Sequence, residues 1–135
     1  MQQEYDSWNK VKKDLSQVIG KQFENRQIWW TSIGYNLGDE SFGKNHLYER
    51  PVLVLRKLSS NAFVGIPFTT TKSEGSYFYE YRYTHVDVEG KEVIQIVYLM
   101  LHQVRIFSNK RLLRKLGKMA EINFQEAKEK FHKLF

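Results

Sequence analysis

Apolar residues recur at three- and four-residue steps at the start of the chain: Tyr5, Trp8, Val11, Leu15, Val18 and Ile19. That spacing lays one stripe along one side of a helix, and Gly20 ends it, so a helical extension is predicted over residues 1–20. Such a face packs on the next element or meets a partner or a second copy. Residues 21–26 read as a polar connector. The texture then changes: residues 28–33 (IWWTSI) are aromatic and β-branched, the composition of a short strand. Residues 34–49 form a polar stretch with three glycines, and loops of that length in compact domains usually carry function. Residues 51–58 (PVLVLRKL) begin as an unbroken apolar run, the pattern of a strand buried on both faces. Ser59, Ser60 and Asn61 turn the chain, and residues 62–68 (AFVGIPF) return as a hairpin partner.

A polar loop over 69–75 precedes a strict period of two, in which Tyr77, Tyr79, Tyr81 and Tyr83 alternate with Phe78, Glu80 and Arg82. Glu89-Gly90-Lys91 marks a tight turn into the apolar run 93–101. Beyond it, Ser108 or Asn109 can cap a short basic helix over 110–116, stopped by Gly117. Asn123 and Glu126 have capping-box spacing, and Phe124, Ala127, Phe131 and Leu134 share one face of a final helix. Four to six short strands with aromatic faces in one domain spanning 1–135 point to a small, strongly bent sheet or barrel with added helices.

Composition narrows the chemistry. Hydrophobic residues are 41% and charged residues 27%, which argues against disorder. The absence of cysteine excludes a disulfide framework, a thiolate zinc site and a cysteine nucleophile. Lys plus Arg is 21 against 15 Asp plus Glu, a formal charge of +6, which suits nucleic acid or an acidic protein alike. The first twenty residues carry Glu4, Asp6 and Asp14 and lack the apolar block of a secretory signal. The run 93–101 is interrupted by Gln95 and is about half the ~20 residues that span a bilayer. The expected location is the cytoplasm, with no membrane contact.

No phosphate-binding Gly-rich loop, dinucleotide fingerprint or nucleophile elbow is present. His85, Asp87 and Glu89 alternate on one predicted strand, but no second cluster accompanies them, so no metal and no cofactor are expected. What remains is polar: Glu40, Arg50, Thr69, Thr70, His102, Gln103 and Arg105 lie at strand ends or in bordering loops. Arg50 opens the buried-looking strand and Thr69 follows its hairpin partner, so the two approach each other across the hairpin. An arginine and a hydroxyl at that separation can cradle a phosphate. Residues 105–118 add Arg105, Lys110, Arg111, Arg114, Lys115 and Lys118 with no acid between them. Such a stretch is either a solvated face or a field that attracts a phosphate chain. Trp29, Trp30, Tyr35 and Phe42 are rings that either fill the core or stack unpaired bases.

As a set these residues resemble the MazF/PemK family of toxins. Ile28-Trp29-Trp30, Gly38-Asp39-Glu40, Gly43 and residues 50–55 (RPVLVL) are similar to the family's opening motif. Residues 66–70 (IPFTT) resemble its second motif, and residues 102–106 (HQVRI) with Lys110-Arg111-Leu112 its third. The resemblance covers residues 27–135 and leaves the first helix outside the common core. It implies a mostly β (α+β) fold: a small SH3-like β-barrel of the MazF/PemK/CcdB toxin type, with an N-terminal helix, a short basic helix and a C-terminal helix. It implies a homodimeric, metal-independent endoribonuclease acting on single-stranded RNA, and a cognate antitoxin whose acidic tail occupies the RNA groove.

For RNA cut without a metal, the simplest route is attack of the 2′-hydroxyl on its own phosphate, giving 2′,3′-cyclic phosphate and 5′-hydroxyl ends. By the resemblance Arg50 stabilises the pentacovalent phosphate and Thr69 hydrogen-bonds a phosphate oxygen. His102 stands where several members carry Asp. A histidine there can shuttle protons near neutral pH, and a packing role is the alternative. His46 lies in a loop longer than in compact members and has no fixed counterpart. Glu40, Thr70, Gln103, Arg105, Lys110 and Arg111 are the expected RNA contacts. Two rival readings fit the same residues: the same barrel holding nucleic acid without cutting it, and a gyrase-directed toxin of the same fold.

Overall fold

The computed structural model describes residues 20–34, 49–71 and 75–135. The predicted helix over 1–20, and most of the loop 34–49 with Glu40 and His46, lie outside the described residues. Within them the chain forms seven strands and one α-helix: β1 (Gln27–Ser32), β2 (Glu49–Lys57), β3 (Ala62–Thr69), β4 (Phe78–Val86), β5 (Glu92–Met100), β6 (Arg105–Ser108), β7 (Leu112–Lys118) and α1 (Glu121–Leu134). Every ladder is antiparallel, in the order β4-β5-β3-β2-β1-β7, with β6 beside β3. The sheet curls into a half-barrel with the helix against it.

The apolar run of β2 behaves as its composition predicts. Val52 and Val54 enter one core layer with Phe23, Trp29, Phe63 and Phe107, while Leu53 enters the other with Ile66, Phe68, Leu99 and Leu101. A strand between two layers needs apolar groups on both faces. β3 is the pivot. One edge pairs β2, and the other passes from β6, at Ala62–Gly65, to β5, at Phe68 and Thr69. Pro67 sits in the gap between those two ladders, where no partner on the second edge demands an N–H. Gly65 is required by packing: a Cβ there would stand 2.7 Å from both Phe63 and Val52 and 2.8 Å from Phe107.

Three sequence expectations are corrected. The basic stretch is helical only for one 3-10 turn, Asn109–Arg111, where Ser108 Oγ accepts from Lys110 N at 3.2 Å; residues 112–118 are strand β7, paired with β1. Pairing with β1, though interrupted by two register shifts, overrides the helix preference of Lys, Arg and Leu. The connector 21–26 is not wholly polar, because Phe23 is buried against Phe63 with ring centroids 5.1 Å apart. Asp87 lies past the end of β4 and not on it: its Oδ1 accepts from the Glu89 and Lys91 amides, both at 2.9 Å, and shapes the turn that Gly90 completes at φ 82°.

The final helix also starts earlier than its capping-box spacing suggests, at Glu121, with Ala120 as an N-cap that offers no side-chain bond. Asn123 and Glu126 are engaged elsewhere. Asn123 Nδ2 donates to the Tyr79 hydroxyl at 3.1 Å, and that hydroxyl donates to Glu126 Oε1 at 2.7 Å. With Phe124 and Ala127 buried beside them, these bonds tie α1 to β4. Burial first, then the bond to Glu126, push the Tyr79 hydroxyl up from 10.0 to about 12. The folded chain therefore holds this proton more tightly than the unfolded chain. Its contribution is complete below pH 10 and is lost as pH rises through about 12. Tyr79→Phe is expected to flatten the alkaline fall in thermal stability over that window; parallel wild-type and variant curves would remove Tyr79 from the account.

Among the described residues no helix is long and apolar enough to cross a membrane.

Candidate functional site

Arg50 reaches the mouth of β2 because the residues behind it are locked between β1 and β3. The register Leu53↔Ile66 and Val52↔Pro67, extended by two steps, sets Arg50 opposite Thr69. On its other side Arg50 pairs with Thr31 of β1, and Thr69 pairs onward with Tyr98 of β5. One row across four strands thus carries both expected phosphate-binding residues. Arg50 Nη1 donates to the Phe68 carbonyl at 3.5 Å. Thr69 Oγ1 accepts from the Thr71 amide at 3.2 Å, which turns Thr70 and Thr71 back over the strand end and leaves the hydroxyl proton to be donated.

These residues close one end of a groove on the concave side of the half-barrel. The end holding Arg50 has a volume of about 520 Å³ and is lined further by Glu49, Thr69, Thr70 and Thr71, with Trp30 and Arg114 along its side. It continues through Pro51, Phe68, Tyr83 and Val97 into a stretch of about 500 Å³ that ends at Tyr81, Arg82, Thr84 and Lys118. One wall is β1 with β7, and the other is the β4–β5 hairpin, which projects because β5 pairs with β3 only at Tyr98 and Leu99. Among the described residues the lining carries the cations Arg50, Arg114 and Lys118, with Arg82 at the rim in an ion pair with Glu80 at 3.1 Å, and a single carboxylate, Glu49. The Arg114 guanidinium lies over the Trp30 ring, 5.9 Å from its centroid, and the Trp30 indole N–H donates to Glu49 Oε1. Tyr83 donates to Gln95 Oε1 at 3.0 Å, and burial, then the Tyr81 phenol, raises the Tyr83 hydroxyl above its usual range. A long, cation-lined groove with aromatic walls suits a single strand of phosphates and unpaired bases.

Arg50, Thr69 and Thr70 are therefore brought together as the sequence suggests. The third motif goes elsewhere. Arg105 Nη2 donates to the Ile33 carbonyl at 2.8 Å, with its guanidinium 4.6 Å above the Phe107 ring, and Arg111 Nη1 donates to the Ser32 carbonyl at 3.4 Å. Both arginines thus hold the backbone at the end of β1, where the loop begins. Burial, then the Arg111 charge, lowers the Arg105 pKa from its ordinary value. Lys110 is exposed on the 3-10 turn and Gln103 is half-buried on another, Leu101–Gln103. His102 is exposed on that same turn, against the rings of Tyr77 and Phe78 at 5.5 and 5.4 Å, and is not among the residues lining the groove.

Glu49, Tyr83 and Gln95 complete the groove without having been singled out, together with Arg114 and Lys118, which the basic stretch 105–118 offers only as a general field. Glu49 had a readable signal, since it neighbours a strand-mouth arginine. The other four are placed only by pairings that sequence spacing does not reveal.

Comparison with known proteins agrees with this architecture. No curated protein matches the chain. Among solved structures it is similar to an "endoribonuclease in complex with its cognate antitoxin from Mycobacterial species", with a TM-score of 0.55, 12% identity, and 81% of this chain and 90% of that one covered. A likeness at that identity speaks to the fold. The family described as "PemK-like, MazF-like toxin of type II toxin-antitoxin system" matches residues 24–135. Over four-fifths of its length, from the connector before β1 to the end of α1, the chain therefore belongs to the PemK-like, MazF-like toxins of type II toxin–antitoxin systems.

Proposed function

We propose that this toxin is a metal-independent endoribonuclease that cuts single-stranded RNA by attack of the 2′-hydroxyl on the adjacent phosphate. The observation that carries the reading is the convergence of Arg50 and Thr69 at one end of a groove whose walls are aromatic and cationic. The Arg50 guanidinium stabilises charge developing on the phosphate oxygens, and the Thr69 hydroxyl donates to one of them. Arg114 and Lys118 lie along the groove where flanking phosphates run, and Trp30 and Tyr83 offer rings to bases. Thr70 borders the reacting phosphate. Arg105 and Arg111 support the loop base from behind.

The protein acts in the cytoplasm as a homodimer of single-domain chains, with the N-terminal extension outside the common core. Its antitoxin lays an acidic tail along the same cations, for which the net charge of +6 is suited.

The test is incubation of the purified chain with a long single-stranded RNA in EDTA, followed by mapping of the ends. Discrete cuts with 2′,3′-cyclic phosphate and 5′-hydroxyl ends are expected. RNA that binds in a salt-sensitive manner yet stays intact would replace the nuclease with a binding module.

A further inference from the structure

A carboxylate is out of place in a groove that binds a polyanion. Glu49 is nevertheless the single acid among the described lining residues, at the end where the reacting phosphate would sit. Its neighbour in the chain is Arg50, and its partner across the ladder is Ser32, the last residue of β1. The Trp30 indole N–H donates to Oε1, while Trp30 itself is backed by Arg114. The side chain is thereby oriented by an apolar ring system. Repulsion between a carboxylate and a phosphate weakens binding. A carboxylate held there on an indole N–H, at the same groove end as Arg50 and Thr69, is placed to take part in a step after binding.

We propose that Glu49 is the general base of this toxin, taking the proton from the attacking 2′-hydroxyl while Arg50 and Thr69 hold the phosphate. The inference rests on the ribonuclease reading above. As the 2′-oxygen forms its bond to phosphorus, its proton passes to a Glu49 carboxylate oxygen. The P–O5′ bond breaks with its electron pair on O5′, which takes a proton from solvent water. Glu49 returns its proton to solvent after release of the cyclic product. Metal-free cleavage requires such a base, and proton transfer by a positioned side chain contributes on the order of 10²–10⁴-fold. Among the described residues, the charged or titratable groups sharing the groove end with Glu49 are Arg50 on its own strand, Arg114 on β7 and Tyr83 on β4; the β3 end and β5 contribute the uncharged Thr69, Thr70, Thr71 and Gln95.

The experiment uses the full chain and a short RNA containing one mapped cut site. A copy of that RNA with a 2′-deoxy nucleotide at the cut reports binding without reaction. Glu49→Gln is expected to lower kcat by roughly 10²–10⁴-fold with KM, and Kd for the 2′-deoxy RNA, unchanged or tighter. Glu49→Asp retains more activity than Glu49→Gln, and the acidic limb of the pH–kcat profile flattens in Glu49→Gln. Trp30→Phe keeps a ring but removes the indole N–H, and lowers kcat about tenfold at constant KM. That variant carries the test if Glu49→Gln folds poorly.

The proposal is overturned by wild-type kcat in Glu49→Gln, or by a loss that sits wholly in KM and Kd. It is equally overturned if the acidic limb survives in Glu49→Gln and disappears in His102→Ala. Failure of the ribonuclease reading is distinguishable, because wild-type protein would then leave the RNA intact.

Discussion

Arg50→Ala is expected to lower the rate of RNA cleavage by roughly 10²–10³-fold, the loss typical of removing one pre-placed donor to developing charge. The fold should survive it. Arg50 is half-buried at the mouth of β2, and its bond to the Phe68 carbonyl is 3.5 Å long. Replacing that bond by water costs about 1 kcal/mol. Strand β2 itself is held by Val52, Leu53 and Val54, each fully buried and none touched by the change. Arg50→Lys keeps the charge but not the forked donors and is expected to fall between the two. Thr69→Ala removes one neutral donor, a smaller loss of about tenfold. Single-turnover cleavage of an end-labelled RNA, with thermal melts on the same samples, measures both quantities. Cleavage near the wild-type rate by a folded Arg50→Ala chain would dismiss the phosphate-clamp assignment.

The largest effect on stability is expected from Phe107→Ala, about 3–5 kcal/mol. Phe107 is 1% exposed, stacks on Phe63 at 5.5 Å and pairs with it across the β3–β6 ladder. Gly65 leaves the space that this ring fills. Removing the ring opens a cavity between layers that rigid strands cannot collapse, and it takes away the surface over which the Arg105 guanidinium lies. Domains of this kind have only about 5–15 kcal/mol in total, so much of the variant would unfold at 37 °C. Urea unfolding followed by tryptophan fluorescence gives the number. A cost below about 1 kcal/mol would mean that this core layer is loosely packed.

How far the sequence could be read depended on the distance over which each feature is decided. The run Val52-Leu53-Val54 announces a strand buried on both faces, and its two layers receive these residues alternately. The tyrosine alternation of β4 is likewise local: Tyr81 is buried while Glu80 and Arg82 face solvent as an ion pair at 3.1 Å. Arg50 and Thr69 were legible as neighbours because one short hairpin, turned by Ser59-Ser60-Asn61, fixes their register. The helix expected over 110–116 is instead one 3-10 turn followed by strand β7. Leu112, Leu113, Arg114, Lys115 and Leu116 favour a helix taken alone, and nothing nearby in the chain reveals that β1 stands ready to pair with them. The capping-box spacing of Asn123 and Glu126 failed for the same reason, since Tyr79 of a distant strand claims both side chains.

The sequence by itself determined strands β1 to β5, the double burial of β2, the approach of Arg50 to Thr69, and the family. Each follows from side-chain periodicity, turn chemistry or motif order within a few residues. Only the tertiary structure decided which cations face the groove, why Arg105 and Arg111 serve the end of β1 instead, and that Glu49 stands beside Arg50 at its closed end. Those outcomes rest on ladders between strands up to 91 positions apart, as Gln27 pairs with Lys118. The free energy of such a ladder comes from burying two faces at once, a quantity that no local window of sequence contains.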